Sequence, residues 1–122
     1  MKLYPSLRYK DAKAAQQWLQ EAFGFEPVVL YEDDNGGVAH AEMRWGSDLI
    51  MFGTARPDLY GDRIGLGWVY VTCDDPDALY AQATAAGAEV VSELTGQEDG
   101  SRDFAVRDLE GNHWNFGTYE PT

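Results

Sequence analysis

The chain has 122 residues, nine of them basic and 21 acidic, for a formal net charge of −12. A surface of that sign repels nucleic-acid phosphates and anionic lipid headgroups, which argues against both as partners, and it favours the approach of a cationic ligand. The length suits one domain with one main core, and no run approaches the roughly 18 consecutive apolar residues of a membrane span. The start, MKLYPSLRYKD, has no apolar stretch of signal-peptide type. The single cysteine, Cys73, cannot form an internal disulfide, so a cytoplasmic home is expected.

Residues 2–10 alternate as a strand, with Leu3, Pro5, Leu7 and Tyr9 on one face and Tyr4, Ser6 and Arg8 on the other. Pro5 places it near an edge or at a bulge. Asp11 is suited to cap a helix over 12–22, where Ala15, Trp18, Leu19 and Ala22 recur at helical spacing, and Gly24 ends it. Residues 25–32 read as a strand, 33–37 as a turn, and 38–45 and 49–52 as a hairpin. The stretch 54–65, TARPDLYGDRIG, breaks the pattern with Pro, Gly and charge and reads as a linker, with a lid or swapping hinge as its conceivable roles.

After the linker the order repeats. Residues 66–73 form a strand, Asp74 or Asp75 caps a helix with Pro76 in its first turn, and Gly87 ends it. Residues 88–94 are a strand, 95–101 a loop, and 103–107 and 112–119 a closing hairpin around Asp108-Leu109-Glu110-Gly111. Gly24 and Gly87 are 63 positions apart, as are Arg44 and Arg107, while Gly53 and Gly117 are 64 apart. The one-residue difference fits a second hairpin turn longer by one residue. The fold class is therefore α+β, a duplicated βαβββ unit, with module one at about 1–54, the linker at about 54–65 and module two at about 66–119.

Two such modules, with Leu7-Arg8…Asp11, Phe23-Gly24-Phe25, Gly67-Trp68-Val69-Tyr70-Val71 and Phe104-Ala105-Val106-Arg107-Asp108…Glu110-Gly111-Asn112, resemble the vicinal oxygen chelate superfamily. That superfamily contains glyoxalase I, bleomycin-resistance proteins, extradiol dioxygenases and fosfomycin-resistance enzymes. The resemblance implies a mixed sheet curled around a cleft, helices on its outer face, and association into a homodimer. It also implies metal ligands on the first and last strands of each module, positions that hold Tyr4, Met51, Trp68 and Asn115 here. None of these is a usual ligand for a divalent catalytic metal, so no metal and no other cofactor is expected.

Strand parity assigns the faces. If the turn at Gly46 and Ser47 pairs Trp45 with Asp48, then Met43 opposes Ile50 and Glu42 opposes Met51. Ala41, Met43, Ile50 and Phe52 then enter the core, while His40, Glu42, Arg44, Leu49 and Met51 face the cleft. By the repeat, Phe104, Val106, Trp114 and Phe116 are core, and Asp103, Ala105, Arg107, His113 and Asn115 face the cleft. The first strands add Tyr4, Ser6, Arg8, Trp68, Tyr70 and Thr72.

Two functions compete. Trp68 and Tyr70 could stack on a flat or cationic guest or merely plug the cleft. Arg44 and Arg107 could hold an anion or be satisfied by Glu42 and Asp103. Read with Tyr4, Met51, His113 and Asn115, these residues describe a metal-free binder of a small aromatic or cationic antibiotic or metabolite, as the resemblance to the bleomycin-resistance group implies. The alternative is a metal-dependent glyoxalase-like lyase or isomerase, or a dioxygenase, with displaced ligands. His40 and Glu42, two apart on one strand, are its candidate acid–base pair, and His113 could join them.

Overall fold

Why the chain folds as two modules is visible in where its caps and turns fall. The computed structural model describes residues 1–61 and 63–122. Module one comprises β1 (Ser6–Tyr9), α1 (Ala12–Phe23), β2 (Glu26–Glu32), β3 (Val38–Trp45) and β4 (Asp48–Thr54). Module two comprises β5 (Trp68–Thr72), α2 (Pro76–Ala85), β6 (Glu89–Gly96), β7 (Arg102–Arg107) and β8 (His113–Gly117). Each is a four-stranded mixed sheet, ordered β1-β4-β3-β2 and β5-β8-β7-β6. The first strand of each module runs parallel to the last, and the other pairs are antiparallel. The predicted linker includes residue 62, which lies outside the described residues.

Local chemistry sets the elements. The Asp11 side chain accepts from the Ala14 amide and Asp75 from the Ala78 amide, so Asp75, not Asp74, caps the second helix. Gly24, at φ 81°, supplies the left-handed residue that closes α1. In the first hairpin Trp45 pairs with Asp48, Met43 with Ile50 and Glu42 with Met51, as the two-residue turn requires. The second hairpin pairs Arg107 with His113 across residues 108–112.

Several strand boundaries differ from the sequence expectation, β4 running on to Thr54 and β6 to Gly96. β1 begins at Ser6, leaving Leu3 almost fully exposed and Tyr4 outside the sheet. Pro5 has no N–H to donate, and its carbonyl already accepts the Met51 amide, so pairing starts after it. β5 begins at Trp68 rather than at residue 66, because the Gly67 amide donates to the Asn112 side chain. A Cβ at Gly67 would have to displace the end of the Leu7 side chain and would lie 2.8 Å from Asn112 Oδ1. β8 ends at Gly117, not at residue 119.

One aromatic core joins the modules. Phe23 meets Phe116 with ring centroids 4.7 Å apart, and Phe25 meets Trp114 at 5.4 Å. Leu19, Met43, Phe52, Phe104 and Val106 complete it, so the predicted core faces are the buried ones. At one end of this core Asp108 is buried in the β7–β8 turn. Its Oδ2 accepts from the Tyr9 hydroxyl at 2.6 Å, from Trp114 Nε1 at 2.9 Å and from Asn112 Nδ2 at 3.3 Å. Its Oδ1 accepts the amides of Glu110 and Asn112. Burial, and then the negative charge of Asp108, hold the Tyr9 hydroxyl protonated well above the ordinary phenol range.

Removing that carboxylate strands several buried donors at once, each costing ~1–3 kcal/mol. Asp108→Ala is therefore expected to lower unfolding free energy by about 3–5 kcal/mol in urea titrations. Leu109→Ala, in the same turn with an exposed side chain, should change it by less than about 0.5 kcal/mol. A loss below about 1 kcal/mol for Asp108→Ala would show that this network does not hold the modules together.

Candidate functional site

The face of the first sheet turned away from the core forms a cavity of about 630 Å3 with the segment that follows β4. Its floor carries Ser6 and Arg8 from β1, His40 from β3 and Met51 from β4, and its wall carries Arg56, Tyr60, Arg63 and Leu66. The wall is tied down. Arg8 donates to Asp58 Oδ2 at 2.8 Å and to the Gly61 carbonyl at 3.2 Å, and its guanidinium carbon lies 5.7 Å from the Tyr60 ring centroid. Arg56 Nε reaches the same Asp58 oxygen at 3.2 Å. Asp58 Oδ1 accepts the amides of Tyr60 and Gly61. The hydrogen bond from Arg8, aided by those amides, keeps the Asp58 carboxyl well below the usual carboxylate range. Beside Met51, His40 Nε2 and Glu42 Oε2 are 2.8 Å apart.

The equivalent face of module two is a separate surface. Trp68 is 76% exposed and its indole N–H donates to Asn115 Oδ1 at 2.8 Å. Tyr70, also exposed, donates its hydroxyl to the Tyr119 carbonyl. Arg107 Nε donates to His113 Nε2 at 2.9 Å, which requires that nitrogen of the ring to be unprotonated, and Nη1 lies 3.3 Å from Glu89. His40 and Met51 line the cavity, and Trp68, Tyr70, Arg107, His113 and Asn115 do not. His40, Glu42 and Met51 stand with Arg8, Arg56 and Tyr60, whereas Trp68, Tyr70, Arg107, His113 and Asn115 stand with one another.

Arg44 belongs to neither group. It lines a shallow depression at the β3–β4 hairpin with Trp45, Asp48, Thr72 and Cys73. Tyr4 lies ahead of β1 and lines neither depression. Arg107 is paired with Glu89 rather than with Asp103. Sequence reasoning missed Arg56, Tyr60, Arg63 and Asp58, which sit in the stretch read as a linker. Two arginines and a tyrosine inside one short Pro- and Gly-containing loop were the available signal.

A divalent catalytic metal does not fit the positions the resemblance points to. Trp68 and Met51 offer no hard donor, and the Asn115 amide oxygen already accepts from Trp68. Among the described residues no group of three His, Cys, Asp or Glu side chains converges. No buried side-chain nitrogen or oxygen among them lacks a partner. No helix among them is long and apolar enough to cross a membrane.

The model of the Glyoxalase/Bleomycin resistance protein/Dioxygenase superfamily matches residues 3–116. Among solved structures, TioX from Micromonospora sp. ML1 is 29% identical, with a TM-score of 0.82 over 98% of this chain and 100% of that one. UcmS2 is 18% identical, with a TM-score of 0.78 over 98% and 100% of the two chains. A V278E mutant of glyoxalase I from Zea mays is 15% identical, with a TM-score of 0.77 over 98% of this chain and 44% of that one. The last two likenesses are of fold alone. No curated protein matches the chain significantly.

Cys73, at the edge of the smaller depression, is a half-buried thiol. Burial, then the charges of Asp74 and Asp75, push it up to about 11. Against an ordinary value of 9.0 this lowers the thiolate share at pH 7.5 about a hundredfold. Iodoacetamide labelling of the native protein at that pH should run about a hundredfold slower than in urea and accelerate as pH rises toward 11. The same shift contributes stability that is complete below the unfolded value and is lost as pH rises from there through the folded one. Labelling at equal rates in both states would refute the shielding.

Proposed function

Since the chain belongs to the Glyoxalase/Bleomycin resistance protein/Dioxygenase superfamily, we propose that it is a metal-free binding protein for a small aromatic molecule, working as a homodimer in which two chains build each cleft. The observation that carries this reading is Trp68. A tryptophan 76% exposed, on the bare face of a sheet with Tyr70 also exposed beside it, leaves a large apolar area in water. Its N–H is fixed by Asn115, which holds the ring in place as a stacking platform and lowers the ordering cost of binding. The cavity of module one, by contrast, has polar and cationic walls but only Tyr60 as an aromatic side chain beside the pocket's mouth, with Phe52 on the core side. Each half-site supplies what the other lacks. A second copy that sets its module two against module one of the first would unite them, twice, around a twofold axis.

The pairing of the two histidines supports binding without chemistry. His40 has Glu42 as partner and His113 has Arg107, and the two pairs lie on different half-sites. Neither belongs to a group of three His, Cys, Asp or Glu side chains among the described residues. A ligand held by stacking and a few polar groups is sequestered, not converted. The lyase or dioxygenase alternative has only the 2.8 Å His40–Glu42 contact in its favour.

Calorimetry with planar aromatic probes, alongside light scattering, tests both parts. A dimer at low micromolar protein is expected, together with saturable heat at one site per chain. Trp68→Ala should weaken binding about tenfold or more, since stacking on an aromatic contributes ~1–3 kcal/mol. Its fold should survive, because the ring is exposed. A monomer with full affinity would overturn the shared cleft. Stoichiometric nickel, zinc, iron or manganese in protein purified without chelator, with turnover of a substrate, would overturn the metal-free reading.

A further inference from the structure

The protein as a whole is strongly acidic, yet the cavity of module one is lined by arginine. Arg8, Arg56 and Arg63 are three of the six arginines in the chain, and all three line it. The carboxylates at hand among the described residues are Asp58, bound to Arg8 and Arg56, and Glu42, bound to His40. Among the described residues, three guanidinium groups therefore stand near two carboxylates. A net charge of −12 spread over the surface makes that local excess a departure in need of a cause.

The hydrogen bonds show how these groups are arranged. Asp58 Oδ2 holds Arg8 Nη2 at 2.8 Å and Arg56 Nε at 3.2 Å, so one oxygen sets two guanidinium groups side by side. Asp58 Oδ1 is committed to the Tyr60 and Gly61 amides and offers neither arginine a second arm. A guanidinium has five N–H donors. Arg8 uses two nitrogens, Nη1 and Nη2, and leaves Nε without a partner among the described residues. Arg56 uses Nε and, at long distances of 3.4 and 3.5 Å, Nη1 toward the Ala39 and Thr54 carbonyls, which leaves Nη2. Asp58 offsets one of these two charges, and the unused donors beside the cavity leave room for a second acceptor that carries its own negative charge. Arg8 is also mostly buried, its side chain 12% exposed, so water screens its charge less than at an open surface.

We infer that this cavity is an oxyanion site, and that the small molecule the protein binds is an aromatic carboxylic acid whose carboxylate sits between Arg8 and Arg56, with Arg63 at the mouth. This deepens the reading above and rests on it, since the aromatic part of the ligand would stack on Trp68 of the second copy. A single negative charge suits a cavity where guanidinium groups outnumber carboxylates among the described residues. A doubly charged phosphate would meet more of the repulsion of the remaining acidic surface. Carboxylate and guanidinium match in geometry, two oxygens against a fork of N–H groups, and such charge-assisted bonds are about twice as strong as neutral ones.

Three probes of one shape separate the possibilities: 2-naphthoate, the neutral 2-naphthamide, and the cationic 2-naphthylmethylammonium ion. By calorimetry on the wild-type protein at 0.15 M salt, 2-naphthoate should bind about tenfold more tightly than the amide, and the ammonium more weakly than either. Arg56→Gln, on a half-exposed side chain, should bring the naphthoate-to-amide ratio near one. Arg8→Lys keeps the charge and loses the fork, and should reduce the ratio by at least a few-fold. Arg102→Gln removes the same unit of charge from the remote, exposed pair with Asp77 and should leave the ratio unchanged. Equal binding of the three probes, or tighter binding of the ammonium, would overturn the oxyanion site and leave the aromatic-binding reading standing. A naphthoate preference that survives both Arg56→Gln and Arg8→Lys would place the charge elsewhere and overturn it too. Binding of none of the three would remove both readings.

Discussion

A single buried carboxylate, Asp108, holds the two halves of this molecule in register. It sits at the turn of the last hairpin and takes the hydroxyl of Tyr9 from the first strand of the other module, the indole N–H of Trp114 from its own, and two amides of the turn itself. A buried ion is tolerated only when its lone pairs are filled, and here five donors fill them. The next acidic residue extends the same idea, since the Glu110 carboxylate accepts the Lys10 and Asp11 amides just ahead of α1. Asn112 passes the connection on to Gly67 at the entrance of β5. The longer turn of module two is therefore the place where a repeated unit was made unequal, and the inequality links the repeats into one core.

That linkage decides what the sheets can do. Phe23, Phe25 and Trp45 pack against Trp114 and Phe116, so the faces shared between modules are the apolar ones under the helices. The opposite faces are left uncovered in a single chain. One becomes a cavity by recruiting the loop after β4, through the Arg8–Asp58 pair and the bridge between Arg8 and Ile64. The other acquires no such wall and keeps Trp68 in water. The duplication supplies two equivalent sheets, and the asymmetric additions give them different chemistry, one charged and one aromatic.

Much of this was legible because it is local. The two-residue turn at Gly46 and Ser47 fixes the pairing of Glu42 with Met51, and alternation then settles which side chains are buried. Asp11 and Gly24 mark the ends of α1 for reasons contained within one helical turn. What was not legible depends on separation in sequence. Parity says which face of a sheet a residue occupies, and it says nothing of how two sheets stand relative to each other. The outward-facing residues of both modules share a face by parity, and parity does not say which of them line the same cavity. The loop 54–65 was read as a linker because nothing nearby in sequence shows that Asp58 meets Arg8, fifty positions away. Tyr4 was placed on a strand by alternation, but Pro5 removes the donor that would have extended pairing to it.

Charge shows the same difference between a sum and a place. The total of −12 describes the field felt at a distance, and at physiological salt that field decays within ~8 Å. Affinity is decided by the atoms that touch a ligand, and around the module-one cavity these are guanidinium groups. Asp58 offsets part of their charge and leaves some of their N–H donors unused. One oxygen is held by the loop amides of Tyr60 and Gly61, the other by two arginines at once. With its pKa depressed by Arg8, it stays ionised through the acidic range, and its contribution is lost only as pH falls through that lowered value. It acts as a fixed strut that sets two guanidinium groups side by side, at the cost of part of their positive potential. An acidic surface around a basic cavity then does two things to a small acid. It slows the approach, and it leaves the cavity as the place where the charge is welcome.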